Sequence, residues 1–144
     1  MKKEEVPQDV GIAEGQSEVT YAVGDNGDYE LVASKGWEPK NVVNYQAWDI
    51  IAEQIEQVRQ QVRDGKLSLL AYHMTKHQMD TRLMAAYVGV AHWRAKRHLK
   101  PKVFARLDNA LLDKYAALFR INVEQLCDPE CLHEDYQPGR DRLL

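Results

Sequence analysis

The chain has 144 residues, 44% of them hydrophobic and 28% charged. This is near the globular average, so it excludes wholesale disorder and fits one domain, or a compact domain with tails, rather than a two-domain enzyme. A formal net charge of -3 argues weakly against a nucleic-acid partner. No apolar run approaches the roughly 20 residues that cross a bilayer, and the start, Met1-Lys2-Lys3-Glu4-Glu5, lacks a secretory apolar stretch. A cytoplasmic protein with no membrane partner is therefore expected. Two cysteines, Cys127 and Cys131, are too few and too close for a disulfide framework.

In chain order, residues 1 to 18 read as a flexible tail, rich in Glu, Gln, Gly and Ser and without periodicity. From Val19 the pattern alternates: Val19, Tyr21 and Val23, then Gly24-Asp25-Asn26-Gly27-Asp28, then Tyr29, Leu31 and Ala33. This predicts a hairpin with a three-residue loop, Asp25-Asn26-Gly27, setting Val23 opposite Tyr29 and Tyr21 opposite Leu31. An isolated hairpin is marginal in water, so its apolar face should dock, with Trp37 as a candidate anchor. Residues 42 to 64 carry Trp48, Ile51, Ile55, Val58 and Val62 at spacings that predict an amphipathic helix ending at Asp64-Gly65. Its stripe suits either intramolecular packing, the favoured reading, or a dimer seam.

Short helices follow. Ser68 is a candidate cap for a helix to about Gln78, Asp80 for one ending at Gly89, and Asp108 for one carrying Leu111, Leu112, Tyr115, Leu118 and Phe119. Between them a helix from about Ala91 to Leu99 must stop before Pro101. A last short helix covers Ile121 to Leu126, and residues 129 to 144 return to tail composition. The expected organisation is thus a tail to residue 18, a hairpin plus helix over 19 to 64, a helical domain over 65 to 128, and a C-terminal tail.

The charge is far from evenly spread. Residues 1 to 80 hold eight Lys/Arg and 14 Asp/Glu, residues 108 to 144 hold four and eight, and residues 81 to 107 hold seven and none. A solvated face usually mixes signs, so an acid-free basic stretch is the footprint of a phosphate-contacting surface.

Within residues 81 to 100, Ala85 lies four residues before Gly89, Met84, Val88 and Val90 flank the turn, and a basic helix follows. Two helices crossing steeply need a small side chain where they touch, and a sharp turn favours a residue that tolerates positive φ. This arrangement looks like a helix-turn-helix with Ala85, Gly89 and Val90 as scaffold. Downstream, Lys114-Tyr115-Ala116-Ala117-Leu118-Phe119-Arg120-Ile121-Asn122-Val123-Glu124-Gln125-Leu126 resembles the end of the Cro/repressor-like (XRE) family. The resemblance spans roughly residues 68 to 127. It implies a mostly α fold, a lambda-repressor-like helix-turn-helix bundle, here with an N-terminal β-hairpin and an additional long helix. Two positions depart from the family pattern: Ala95 and His98 stand where a branched apolar residue usually pins the recognition helix, and Ala91 stands where Ser or Thr usually caps it.

The function implied by the resemblance is a sequence-specific regulator of transcription that binds double-stranded DNA; because one small module makes few contacts, a homodimer is expected, with the long helix or the hairpin, both outside the family's minimal domain, contributing to its interface. His92, Trp93, Lys96, Arg97 and Lys100 would face base edges in the major groove, and Arg82, Arg94, Lys102 and Arg106 would meet phosphates. Trp93 has a second reading, as a replacement for the missing core anchor, and that reading is favoured. The net charge and acidic flanks leave an alternative function, a non-enzymatic interaction module docking an acidic partner. No nucleotide-binding or nucleophile motif occurs, so neither an enzyme nor a cofactor is expected. His73 and His77, four apart, and the Cys127, Cys131, His133 cluster have loosely metal-like spacings, but hydrogen-bonded histidines and a solvated acidic tail are the preferred readings.

Overall fold

A computed structural model describes residues 1–10 and 16–133 of the chain. They form two compact units, one running to Ile51 and one beginning at Ala52. In the first, β1 (Glu18–Val23) and β2 (Tyr29–Ser34) pair antiparallel, with Val23 opposite Tyr29 and Tyr21 opposite Leu31. The tight loop is the one expected, with Gly27 at φ 83°.

The hairpin does not bury the face expected of it. Val19, Tyr21, Tyr29 and Leu31 are 64–79% exposed, whereas Ala22 and Ser34 on the opposite face are buried. Alternation establishes that two faces differ, but not which one the chain covers. Small residues admit close backbone approach, and the N-terminal segment takes that side: Ser34 Oγ donates to the Pro7 carbonyl at 2.6 Å, and the Val23 N–H donates to the Met1 carbonyl. Lys3–Glu5 form a 3-10 turn, and Val6 is buried. Residues 1–10 are thus built into this unit rather than forming a tail, while residues 11–15 lie outside the described residues. Trp37 is 55% exposed, so it is not the buried anchor expected of it.

Helix α1 (Glu38–Arg63) starts four residues earlier than its apolar stripe suggests, because Pro39 fits a first turn, where its missing N–H costs no hydrogen bond. Of the stripe, Ile55 is fully buried and Trp48, Ile51, Val58 and Val62 are half-buried. The unit boundary falls inside this helix, not after it. In the second unit its last turns meet other elements: the Arg59 guanidinium sits 5.8 Å from the Tyr72 ring centre, and Arg63 Nη2 donates to the Leu132 carbonyl at 2.9 Å. Residues 129–133, expected to be tail, instead form a 3-10 turn (Pro129–His133) with Cys131 and Leu132 buried. The rest of that expected tail, residues 134–144, lies outside the described residues.

The remaining helices are α2 (Leu69–Lys76), α3 (Thr81–Val88), α4 (His92–His98), α5 (Pro101–Phe104), α6 (Asn109–Phe119) and α7 (Val123–Cys127). Asp80 and Asp108 cap α3 and α6 by accepting from the N–H groups of Leu83 and Leu111, and Asn122 and Gln125 close a reciprocal box on α7. Ser68 does not cap α2 as expected. Its hydroxyl donates to the His98 carbonyl at 3.1 Å and its N–H to the Leu99 carbonyl at 2.8 Å, binding the start of α2 to the end of α4. The core of this unit gathers Leu70, Met84, Ala85, Ala95, Tyr115 and Phe119 from α2, α3, α4 and α6. Among the described residues no helix is long and apolar enough to cross a membrane.

Candidate functional site

The site is built from α3, the turn after it, and α4. Gly89 closes α3 in the left-handed region at φ 75°, and the N–H groups of Gly89 and Val90 both donate to the Ala85 carbonyl at 3.0 Å. A Cβ on Gly89 would meet open space, so glycine is there for the sign of φ and not for room. Ala85 is 3% exposed and Ala95 of α4 is 0% exposed, and both belong to the one buried core into which α3 and α4 pack. Val90 is half-buried at the edge of the same core.

Helix α4 turns Ala95 and His98 inward, and His92, Trp93, Arg94, Lys96 and Arg97 outward. Trp93 is 60% exposed, which overturns its favoured reading as the core anchor. The anchor is polar instead. His98 is 5% exposed, and its Nδ1 lies 2.8 Å from the Tyr115 hydroxyl of α6. Burial pushes the Tyr115 phenol up to about 12, against a smaller opposing effect of Arg94. The phenol therefore stays protonated, and its hydrogen bond with the His98 ring ties α4 to α6. Sequence spacing could not pair two residues 17 positions apart; the only hint was a histidine where an apolar residue was expected. Ala91 caps α4 with no side-chain hydrogen bond, as its methyl requires.

Burial foremost, and then the charges of Arg94 and Arg97, hold the His98 pKa below its ordinary 6.5. Above that value the imidazole is neutral in both the folded and the unfolded chain, and stability is undiminished. As the pH falls below it, the unfolded chain takes up the proton first, so stability declines until the folded-state pKa is reached. Thermal unfolding followed from about pH 8 to about pH 5 should therefore show a larger loss of midpoint for the wild type than for His98→Gln, which keeps an acceptor for Tyr115 but does not titrate. Parallel profiles for the two proteins would remove His98 as the cause.

All seven cations of the acid-free stretch, Arg82, Arg94, Lys96, Arg97, Lys100, Lys102 and Arg106, are exposed. Among the described residues none of them forms an ion pair; the pairs present involve Lys3, Lys40, Arg59, Arg63 and Lys66. The positive field of this surface is therefore not cancelled by carboxylates at contact distance. Arg97, Lys100 and Lys102 surround an open depression of about 470 Å³ whose fourth cation, Lys66, comes from beyond the end of α1. Nothing in the sequence marks Lys66, since it stands outside the acid-free stretch.

The metal-like spacings resolve differently. His77 Nδ1 donates to the His73 carbonyl at 2.8 Å, and His73 Nε2 faces Cys131 Sγ at 3.9 Å. Cys131 is thus paired across the fold with a histidine of α2, while Cys127 and His133 are exposed. Among the described residues no three His, Cys, Asp or Glu side chains are placed to hold one metal ion. Comparison of the chain with protein-family models, curated proteins and solved structures gives no match.

Proposed function

We propose that α3, the Gly89 turn and α4 act as a helix-turn-helix of the Cro/repressor-like kind, and that the protein is a non-enzymatic, sequence-specific transcriptional regulator that places α4 in the major groove of double-stranded DNA. One observation carries this reading: seven exposed cations over residues 81–107, free of ion pairs among the described residues, cluster on and beside a helix whose other face is held in the core. A basic helix that merely decorated a surface would be expected to meet nearby carboxylates. His92, Trp93, Lys96, Arg97 and Lys100 are the residues offered to base edges, with Arg and Lys suited to the acceptors of guanine and Trp93 to a thymine methyl. Arg82, Arg94, Lys102 and Arg106 are offered to phosphates.

The active form is a homodimer. One small module makes few contacts, and two recognition helices spaced ~34 Å apart double them. The exposed apolar hairpin face of Val19, Tyr21, Tyr29 and Leu31 is the surface we assign to the second copy, because contiguous exposed apolar side chains are what protein contacts cover. Binding to a random-sequence duplex pool, measured across salt, tests the whole reading. With ~3 to 4 cations per protomer neutralising phosphate, log K should fall against log salt at roughly -3 per protomer. Sedimentation of the bound species should give two chains per duplex site. Binding indifferent to salt, or retention of an acidic protein in excess duplex, would overturn it in favour of an interaction module.

A further inference from the structure

We infer that Lys66 and Lys102, with Arg97 and Lys100 on the rim they share with the base-facing surface, form one phosphate seat, which carries the DNA backbone beyond α4 to the segment joining α1 and α2; this rests on the DNA reading above. The four cations border a single depression of about 470 Å³ that has Pro101 and Val103 among its walls. Arg97, Lys100 and Lys102 have no ion-pair partner among the described residues, and Lys66 has only the exposed Asp64 at 3.5 Å. An exposed pair of that kind is worth little and yields readily to a stronger anion.

The seat is held by backbone, not by chance proximity of long side chains. The Lys66 N–H donates to the Gln61 carbonyl at 2.9 Å, closing α1, and two residues later the Ser68 N–H and hydroxyl bond to the carbonyls of Leu99 and His98. The α1–α2 joint is thereby stitched to the last turn of α4, and Lys66 is set beside Arg97 and Lys100. Ser68 is 3% exposed, so these bonds are shielded from competing water. On the other side, the Val103 and Phe104 N–H groups both donate to the Lys100 carbonyl, fixing Lys100 and Lys102 on the tight turn that opens α5. Four positive charges held around a concave, carboxylate-poor surface concentrate their field and favour a polyanion over a monovalent one. The ligand is a phosphate group, either of a nucleic-acid backbone or of a free polyphosphate, and the DNA backbone is the source we assign, because Arg97 and Lys100 belong to the surface offered to the groove.

The test uses the full chain with Lys66→Ala/Lys102→Ala, both exposed positions, and separately Asp64→Asn, which keeps the acceptor for the Gln60 side chain while removing the competing charge. Duplex binding is titrated between ~50 and ~200 mM salt, and inorganic tripolyphosphate is titrated by calorimetry. The expected result is that the double variant loses about tenfold or more in affinity on all duplexes alike, with a salt slope shallower by about two per protomer, and that Asp64→Asn binds more tightly than the wild type. If wild-type protein binds duplex but the double variant keeps its slope and affinity, the seat is refuted while the DNA reading stands. If wild type ignores duplex but binds tripolyphosphate, and the double variant does not, the seat stands with a free polyphosphate as its ligand and the DNA reading falls. Loss of sequence preference in the double variant, rather than uniform weakening, would place these lysines at base edges and overturn the seat.

Discussion

A Lys96→Ala/Arg97→Ala protein is expected to fold as the wild type does and to lose duplex binding by roughly 10²- to 10⁴-fold, since each good contact to a guanine edge contributes ~1 to 3 kcal/mol of discrimination. Both side chains are exposed on α4 and neither has an ion-pair partner among the described residues. Their removal leaves no buried charge and no cavity, and alanine favours the helix. Circular dichroism and the unfolding midpoint should therefore be unchanged while a gel-shift titration collapses. Arg97 also borders the phosphate seat, so the double variant removes both kinds of contact, whereas Lys96 lies outside the seat. A Lys96→Ala single variant should thus change which sequences are preferred, whereas Lys66→Ala/Lys102→Ala should weaken all sequences together. Retained affinity in the Lys96, Arg97 double variant would remove α4 from the interface.

The second large effect lies one layer inward. Met84→Ala should lower the unfolding free energy by about 2 to 5 kcal/mol, because Met84 is completely buried among Leu70, Ala95, Tyr115 and their neighbours and truncation leaves a void there. Its neighbour Leu83 is 44% exposed, and Leu83→Ala should cost less than ~1 kcal/mol. The opposite change at the next position, Ala85→Leu, inserts bulk where α3 and α4 touch, at a cost of about 1 to 3 kcal/mol, and should tilt α4 and weaken binding as well. Urea denaturation of the three variants supplies the comparison. Equal losses at positions 83 and 84 would contradict the buried and exposed faces assigned to α3.

How much of this was legible beforehand depends on whether the relevant physics is local. The caps at Asp80 and Asp108, the left-handed Gly89, the hairpin register around Gly27 and the helix stop at Asp64-Gly65 follow from interactions within a few residues, and each is where residue type and spacing predict it. The acid-free cation stretch is local in part, because Arg94, Lys96 and Arg97, close in the chain, fall on the single short helix α4. Ser68 had the chemistry of a cap, but a partner 30 residues away, the His98 carbonyl, took its hydroxyl. Trp93 had the size of a core anchor, but His98 with Tyr115 already filled that place.

A small hairpin, one long helix, a run of short capped helices and a concentration of positive charge beside a glycine turn all follow from residue order alone, because periodicity, capping and charge spacing act over a turn or two. Long-range packing sets which hairpin face is covered, folds in residues 1–10 and 129–133, pins α4 by a buried histidine, and brings Lys66 beside Arg97, Lys100 and Lys102. Those outcomes depend on which segments distant in the chain come to lie side by side, where small differences in packing and hydrogen bonding choose among partners that composition leaves equivalent.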